Sequence, residues 1–400
     1  MSRSRSGAAV RMVILLVVVL CGSSCTGKED KNSVEPEVDR YARNVFYAER
    51  FSITRLDNGS TLLQVKVPKG ESIGIEYRYL LVPDDKAVPE YSGDARVIRT
   101  PLKSVTCENG FQVTLIEMLD SFDAIKGVSG KRRVGQDRVH RMIDNGELAV
   151  TGFMRGLNME TLLKLDPDLS FVNVISVSTD LFEEMMAYGL KPGFFCASLE
   201  KHPLGALEWI KFVGAFFGKD SLAAAVFKEK EQAYLGIMNK VNNITHKPSV
   251  IAGYNRKGAW STMGSSRWFV SMLEHAGGEY LFKDQKLDRG HILSHEVAMD
   301  AGMQADFWVN THFRVTDLDG LLQEDERYRL FRSVLNGAVY NNNRYRFENG
   351  RSRFWDTGMT EPHILLQDLI AIFHPELLPD HTLRYYRRLQ EKEPVFEKQQ

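Results

Sequence analysis

Basic side chains stand next to aromatic residues and glycines in five segments, each of which follows a short apolar run. A planar guanidinium pairs with a carboxylate through two hydrogen bonds, and an aromatic face packs against a macrocycle or a catecholate ring. Although most arginines in any protein are simply solvated, the recurrence of this composition predicts a binding site for an anionic ligand with flat rings. The five segments are 99–104, 131–133, 152–156, 254–260 and 340–355.

Two of the side chains in these segments are especially suited to such a site. Arg155 is followed by glycine and precedes a predicted helix, and Trp260 lies in a segment rich in glycine and serine, where a large ring has little core to enter. Trp268, in contrast, is at helical spacing with Met272 and is interpreted as core. The candidate ligand-binding residues are Arg132, Arg155, Tyr254, Trp260, Arg344, Arg353 and Trp355.

Other kinds of chemistry have little support in the sequence. The spacings of a phosphate-binding loop, of a nucleophile elbow and of a dinucleotide-binding turn do not occur. His291 and His295 are four residues apart, as zinc ligands on a helix can be, but the residues between them indicate a helix start instead. An axial ligand to haem could come only from weak candidates such as Tyr254 or Met154. We therefore predict a protein that is not an enzyme and has no catalytic residue, no metal site of its own and no intrinsic cofactor.

Composition excludes two further classes. The 400 residues carry a net charge of −1, with 43% hydrophobic and 26% charged residues, which describes a soluble globular protein without a global basic field for nucleic acid. Cys107 and Cys196 are the only cysteines beyond residue 25, and they either form one disulfide or are two small buried hydrophobic residues.

The N-terminus has the pattern of an export signal. Three arginines precede the uncharged run 12–20, which is too short to cross a bilayer as a mature helix, and small residues then lead to Cys25. This resembles a lipoprotein signal peptide, whose removal would leave a lipid-modified Cys25 as the new N-terminus. A plain secretory signal that is cleaved near the same place is the alternative.

The pattern of apolar residues predicts an α/β fold with two lobes. Residues 51–89 alternate apolar and polar side chains around the turn Asp57-Asn58-Gly59, which indicates antiparallel strands. Short apolar runs then alternate with helices in two series, and a long helix from about 221 to 241 lies between them. The predicted segments are a signal peptide (1–25), a flexible tether (26–50), a β extension (51–94), an N-terminal lobe (95–203), a helical linker (204–242) and a C-terminal lobe (243–400).

Two stretches in the two series are alike. In each, a polar residue that can cap a helix is followed two residues later by a glutamate, and the helix leads through an aspartate into a strand. The first pair is Asn158 and Glu160, and the second is Ser294 and Glu296. Helix-start chemistry explains either copy alone, but two copies at matching places predict a pair of exposed carboxylates on one rim of the molecule.

Four segments form a pattern through their order and spacing: 122–129, 157–169, 276–284 and 294–296. Segment 157–169 is similar to the sequence N-x-E-x-x-x-x-L-x-P-D-L. From about residue 95 to residue 381 the chain thus resembles the periplasmic binding proteins that carry iron complexes and vitamin B12 for ABC importers. The strands in 51–89 lie outside this pattern.

The resemblance implies two α/β lobes that are joined by a long rigid helix, with the ligand in a cleft between them. It also implies a monomer in which Glu160 and Glu296 dock on arginines of the membrane-spanning importer subunits. The ligand would be a ferric siderophore, haem or cobalamin, and the basic segments favour the anionic siderophore or haem over a corrinoid. A chelatase-like enzyme on the same scaffold and a scavenging lipoprotein without an importer are the alternatives.

Overall fold

The computed structural model describes residues 37–69, 72–91, 93–174, 180–262, 267–285, 292–312 and 314–390. Helices and strands alternate through most of this range, as expected for an α/β fold. The strands are β1 (Phe51–Arg55), β2 (Thr61–Lys69), β3 (Ser72–Pro83), β4 (Arg96–Thr100), β5 (Val105–Cys107), β6 (Ile125–Val128), β7 (Ala149–Val150), β8 (Leu169–Asn173), β9 (Pro192–Phe195), β10 (Ser249–Ala252), β11 (Tyr254–Arg256), β12 (Ala259–Ser261), β13 (Glu279–Tyr280), β14 (Ile292–Ser294), β15 (Phe307–Val309), β16 (Val339–Asn341) and β17 (Arg387–Arg388). The helices are α1 (Glu37–Arg43), α2 (Gly110–Met118), α3 (Asp137–Asp144), α4 (Met159–Leu165), α5 (Asp180–Ala187), α6 (Pro203–Phe217), α7 (Asp220–Met238), α8 (Trp268–His275), α9 (His295–Gln304), α10 (Leu318–Glu324), α11 (Arg332–Leu335) and α12 (Pro362–Phe373).

Two five-stranded sheets organise the fold. The first sheet has the order β7-β6-β5-β8-β9 and is parallel throughout. The second sheet has the order β13-β10-β15-β16-β17, and only β17 runs antiparallel. The described residues from Glu37 onward nevertheless form one compact unit. We use "first half" and "second half" for the parts of the chain that build these two sheets.

The first strands of the two sheets start in the same way. Ser104 precedes β5, and its hydroxyl accepts a hydrogen bond from the backbone N–H of Asp168 at 3.0 Å, while the Asp168 carboxylate accepts the N–H of Ser104 at 2.9 Å. Ser249 and Asp306 make the same reciprocal pair, at 3.0 Å and 2.9 Å, where β10 and β15 begin. The strand pairs also share one register, with Val105 opposite Leu169 and Val250 opposite Phe307. The similarity seen in the sequence is thus a similarity of structure.

The β extension is larger than predicted. β1, β2 and β3 form the expected antiparallel strands, with Gly59 at a φ of 85° in the turn. β4 was expected to open the N-terminal lobe, but it pairs in parallel with β3, with Val97 opposite Leu80. The boundary at residues 94/95 is therefore wrong, because a parallel neighbour needs a crossover connection that alternation of side chains does not reveal.

Helix α6 is buried along its whole length and contacts α2 in the first half and α8 and α12 in the second. The longer α7 packs against α6, α12 and α1. Gly218 separates α6 from α7 with a φ of 62°, as the sequence predicted. Within the described residues, no helix combines the length and the apolar content needed to cross a bilayer.

Residues 37–50 do not form the predicted flexible tether. Helix α1 contacts α7, and the chain after it is held by two carboxylates with no exposed surface. Glu208 accepts the N–H groups of residues 46, 47 and 48 at 2.8–2.9 Å, and Glu200 accepts those of residues 49 and 50 at 2.8 and 3.1 Å. Lys211 donates to Glu208 at 2.7 Å and so balances its charge. Because these acids replace water for five backbone donors, the segment belongs to the folded body. Residues 1–36, including Cys25 and the rest of the predicted tether, lie outside the described residues.

Both remaining cysteines are buried and free, which confirms their interpretation as small hydrophobic core residues. Trp268 is core as predicted, with 3% of its surface exposed.

Candidate ligand-binding site

A cavity of about 880 Å³ opens at the carboxyl ends of the strands in the second sheet. Ligands of open α/β sheets bind at this edge, because loops diverge there and leave a crevice. The residues that line this main cavity after β10, β15 and β16 include Gly253, Asn310 and Asn342. Lys131, Arg132 and His140 of the first half line it as well. Both halves therefore contribute to one site.

The floor of the main cavity requires an unusual backbone. Gly253 has a φ of 105°, and a side chain there would lie 2.2 Å from the carbonyl oxygen of Ser261. Its carbonyl accepts the indole N–H of Trp308 at 2.9 Å, and its N–H donates to the carbonyl of Asn310 at 3.3 Å. Asn310 itself has a φ of 49°, a conformation that few non-glycine residues adopt. Strained residues of this kind cluster at binding sites, where the surrounding structure enforces them.

The lining of the main cavity is strongly cationic. Tyr254, Phe269 and Trp355 add aromatic surface to it. Among the described residues that line it, none is an aspartate or a glutamate. A cavity of this composition stabilises an anion that has apolar or aromatic parts. The cationic side chains in the lining are Lys131, Arg132, Arg314, Arg346 and Arg351.

A segment of the second half forms one wall of the cavity and holds on to the first half. This strap (residues 343–356) follows β16, and Asn349 donates from its side chain to the carbonyl of Gly135 at 2.8 Å. Arg351 donates to the carbonyl of Arg132. Arg353 lies 3.7 Å from the carboxylate of Asp137. These contacts fix the wall relative to both sheets.

A second space of about 220 Å³ lies at the carboxyl ends of the first sheet, and we call it the side chamber. Arg132, Arg351 and Trp355 line both this chamber and the main cavity, so they lie between the two spaces. Its lining combines four charged side chains with three aromatic rings and one methionine. The residues that line the side chamber are Asn109, Phe111, Arg132, Arg133, Asn173, Phe195, Ser198, Arg351, Trp355, Asp356 and Met359.

Two buried acids balance the arginines around the side chamber. Asp356 is 1% exposed and lies 3.6 Å from the Arg351 guanidinium, and Glu108 accepts the N–H of Asn173 at 2.6 Å. Burial raises the pKa of Glu108 to about 7 and the pKa of Asp356 to about 6. Arg133 donates to the carbonyl of Glu108 and stacks 3.4 Å over the centre of the Phe153 ring. Acids thus lie next to the arginines at this end of the first sheet.

Three of the predicted ligand-binding residues, Arg132, Tyr254 and Trp355, line the main cavity. Arg344 is exposed and is not part of the lining. Arg353 stacks 4.1 Å over the Phe347 ring and faces Asp137, so it supports the strap instead of lining the cavity.

Arg155 lies in a short 3-10 turn, Met154–Gly156, and its side chain lies outside the described part of the chain. Its predicted contact with ligand stays a prediction.

The prediction for Trp260 is wrong. β11 and β12 form a hairpin that β14 extends, and this small sheet buries Trp260 completely. Its indole N–H donates to the carbonyl of Ala252 at 2.9 Å, and its ring packs 5.5 Å from that of Trp308. Glycine and serine nearby indicated an open loop, whereas Gly258 forms the turn of a packed hairpin.

Sequence reasoning missed other lining residues. Arg314 follows β15 and is not in any of the five basic segments, and Asn310 and Thr311 are polar residues without a distinctive motif. Their position directly after a buried parallel strand is the signal that could have found them.

Glu160 and Glu296 are both exposed and lie in the first turns of α4 and α9. The side chain of Asn158 caps α4 as predicted, by accepting the N–H of Thr161 at 3.0 Å. The hydroxyl of Ser294 makes no capping bond, so this part of the prediction is wrong. Instead, His295 contacts Asp325 at 3.2 Å, and Arg327 donates to the same carboxylate at 2.6 Å. This cluster holds the start of α9.

Comparison with known proteins agrees with this geometry. Residues 105–343, more than half of the chain, match the periplasmic binding protein family. The chain belongs to that family. The matched range begins with β5 and ends at the start of the strap, so it contains the first sheet, the second sheet except β17, and most of the cavity lining. It leaves out β1 to β4, which are the extension.

Relatives with similar sequences or structures carry the same fold over most of the chain. A lipoprotein of Methanocaldococcus jannaschii without an assigned function is 23% identical over 321 residues, which are 77% of this chain and 75% of the relative. The structure of Helicobacter pylori CeuE in its Ni-His complex has a TM-score of 0.55 at 15% identity and covers 79% of this chain and 90% of that one. A periplasmic haem-binding protein of Pseudomonas aeruginosa has a TM-score of 0.52 at 16% identity and covers 68% and 93%.

No group of three or more histidine, cysteine, aspartate and glutamate side chains in the described part of the chain is arranged to hold a metal ion.

Proposed function

We propose that this periplasmic binding protein captures an anionic metal chelate, a ferric siderophore or haem, in the main cavity and delivers it to an ABC importer. The observation that carries the proposal is a lining with five cationic side chains and, among the described residues, no carboxylate. The cavity volume of about 880 Å³ suits a ferric siderophore or haem, because small-molecule sites commonly occupy about 300–1,000 Å³.

The chemistry of the lining explains how such a ligand would be held. Guanidinium groups such as Arg314 and Arg346 pair with carboxylate or catecholate oxygens, and they lose little affinity to desolvation because they are only partly buried. The rings of Tyr254 and Trp355 pack against flat organic parts of the chelate. The named ligands of two structural relatives, a nickel-histidine complex and haem, are consistent with a metal complex as cargo. A neutral corrinoid would gain nothing from these cations.

Delivery requires an exposed surface that an importer recognises, and we assign that role to Glu160 and Glu296. The reciprocal pairs Ser104–Asp168 and Ser249–Asp306 give the two glutamates equivalent places, each on the helix that leads to the strand beside β5 or β10. The helix dipole stabilises a negative charge in the first turn, and complementary charges on a partner would orient the complex and accelerate its formation.

We also assign Cys25 as the lipid attachment site, which keeps the protein at the membrane of the cell envelope. The relative from M. jannaschii is likewise named a lipoprotein.

Direct titration tests the ligand. Haemin, ferric citrate and a ferric catecholate complex are titrated into the purified protein, and intrinsic fluorescence quenching gives the dissociation constants. We expect micromolar or tighter binding of at least one anionic chelate and no measurable binding of cyanocobalamin. Binding of cyanocobalamin alone would contradict the proposal.

Uptake assays test the docking surface. Replacing both Glu160 and Glu296 with alanine should reduce uptake of the labelled chelate at least tenfold, while the dissociation constant changes less than twofold. Glu147→Ala, which removes an exposed glutamate between α3 and β7, is the matched control and should leave uptake unchanged. Normal uptake by the double variant would contradict the assignment of Glu160 and Glu296 as the docking surface.

A further inference from the structure

Arg351 lies between the main cavity and a buried acid. Its partly exposed side chain lines the main cavity and the side chamber. Its Nη2 atom lies 3.6 Å from Oδ1 of Asp356, which is almost fully buried and lines the side chamber but not the main cavity. The same cation can therefore face a ligand or this carboxylate.

The contact between Arg351 and Asp356 is loose. At 3.6 Å the two groups attract each other but are too far apart for a hydrogen bond. Within the described residues, the buried Nε atom of Arg351 and the buried Oδ2 atom of Asp356 have no hydrogen-bond partner. One guanidinium N–H donates to the carbonyl of Arg132. A guanidinium has five N–H donors and pairs with an anion through two of them, so Arg351 retains donors for an anionic ligand.

Asp356 is also held by groups other than Arg351. Its carboxyl carbon lies 2.3 Å from the position that a Cβ atom on Gly110 would take. Gly110 is the first residue of α2, where the helix dipole stabilises a negative charge. The carboxylate accepts a hydrogen bond from the backbone N–H of Gly135 as well. Asp356 therefore keeps its position when Arg351 turns to a ligand.

Asp356 can lose its charge in mild acid. Burial raises its pKa to about 6, and Arg351, Arg133 and Arg353 oppose that effect. The first turn of α2 contains no charged residue, but Glu108 lies just before that helix and interacts with Arg133. Burial raises the pKa of Glu108 to about 7, so it titrates in a neighbouring range. A guanidinium, in contrast, keeps its charge throughout this range.

We propose that Asp356 competes with the ligand for Arg351 and thereby limits the affinity of the main cavity for an anion. In the free protein the guanidinium faces Asp356, and in the complex it pairs with the chelate. When the ligand leaves, the carboxylate recovers the cation, which favours release at an importer. This inference rests on the proposed function and assigns to Asp356 a positioning role that acts through Arg351.

The sign of one effect separates this role from a merely structural one. Asp356→Asn removes the negative charge and keeps an oxygen that can accept the hydrogen bond from Gly135. Asp356→Ser is a second neutral variant, and thermal unfolding shows which of the two is folded. The probes are haemin, ferric citrate and a ferric catecholate complex, with dissociation constants from fluorescence titration. Glu348→Gln is the matched control, because it removes an exposed acid from the same strap.

At pH 7.5 the neutral variants should bind an anionic chelate about fivefold to tenfold more tightly than the unmodified protein, because the competing charge is gone. Glu348→Gln should change the affinity less than twofold. A residue that only supports the wall of the cavity would give the opposite result when it is replaced. Unchanged or weaker binding by the folded variants would overturn the proposal.

A double-mutant cycle tests whether the gain depends on Arg351. In the Arg351→Gln background, Asp356→Asn should change the affinity less than twofold, because the contested cation is absent. An equal gain without Arg351 would show that the carboxylate acts on the ligand through the field of the whole cavity, and would overturn the competition.

The pH profile gives an independent readout. The affinity ratio between Asp356→Asn and the unmodified protein should fall toward one as the pH is lowered from 7.5 to 5, since protonation then neutralises Asp356. This ratio cancels any protonation of the chelate itself, and it should fall in the same way in a Glu108→Gln background. A constant ratio would contradict the proposal. If none of the three probes bound at all, the proposed function would fail and this inference with it.

Discussion

The two halves of the protein are built alike at the amino ends of their sheets and differ at the carboxyl ends. Ser104 and Asp168 in the first half repeat as Ser249 and Asp306 in the second, with the same reciprocal hydrogen bonds. Four residues after each serine, where β5 and β10 have ended, the same register places Glu108 in one half and Gly253 in the other.

The two halves therefore differ in the side chain that this position contributes. Glu108 fills its position with a buried carboxylate that accepts a backbone N–H at 2.6 Å. Gly253 has no side chain, because the carbonyl of Ser261 lies where one would be, and its backbone lines the main cavity. The amino ends thus carry residues that the fold needs, while the carboxyl ends are free to differ because function is located there.

The largest effect should come from reversing the charge of the main cavity. In the double variant Arg314→Glu and Arg346→Glu, two attractive contacts become repulsive, and the dissociation constant for an anionic chelate should rise more than a hundredfold. Arg344→Glu is the matched control, because Arg344 is exposed in the same strap and does not line the cavity. An equal loss in the control would mean that overall charge, not the cavity, attracts the ligand.

A moderate effect should come from the shared amino ends. Ser104→Ala and Ser249→Ala each remove one hydroxyl from a reciprocal pair, and each should lower the free energy of unfolding by about 1–2 kcal/mol with less than a twofold change in ligand affinity. Denaturant unfolding measures the first quantity. Ser52→Ala, which removes an exposed hydroxyl on β1, should change the free energy of unfolding by less than about 0.5 kcal/mol. A large loss of stability in only one of the two variants Ser104→Ala and Ser249→Ala would show that the two reciprocal pairs are not equivalent.

The last effect concerns the pH dependence of stability. Burial raises the pKa of Glu108 to about 7, so the folded protein binds a proton there that the unfolded chain releases at lower pH. Stability from this group is present at pH 4–5 and is lost as the pH rises toward 8. The variant Glu108→Gln has no titratable group at this position. The decrease in its free energy of unfolding between pH 5 and pH 8 should therefore be smaller than in the unmodified protein, by up to about 3 kcal/mol. The measurement is the midpoint of unfolding as a function of pH. Gly253 has no titratable side chain, so the second half offers no such position.

Much of the fold follows from local patterns that the sequence displays. The α/β alternation, the break at Gly218, the hairpin at Gly59 and the helix cap at Asn158 each depend on residues that are close together in the chain. The parallel pairing of β4 with β3 could not be predicted from local patterns, because the two strands are joined by a crossover connection that side-chain alternation does not reveal.

The site was predictable only in its general chemistry. Basic residues after strands indicated an anionic ligand, and Arg132, Tyr254 and Trp355 do line the cavity. Trp260 and Arg353 belong to the same segments but point into a packed hairpin and onto neighbouring rings, since segment composition does not determine side-chain direction. The buried Glu208 was also not apparent, because its five-residue neighbourhood gives no sign that it binds a backbone some 160 residues away.

If Cys25 carries a lipid, as we propose, the contacts of Glu200 and Glu208 with residues 46–50 limit how far the folded body can lie from the membrane. Eleven residues, 26–36, separate Cys25 from the start of α1 at Glu37. A chain of that length spans at most roughly 40 Å. Confinement to so thin a layer gives local concentrations on the order of millimolar at any importer nearby. Even a weak encounter would then be frequent enough to empty a loaded protein.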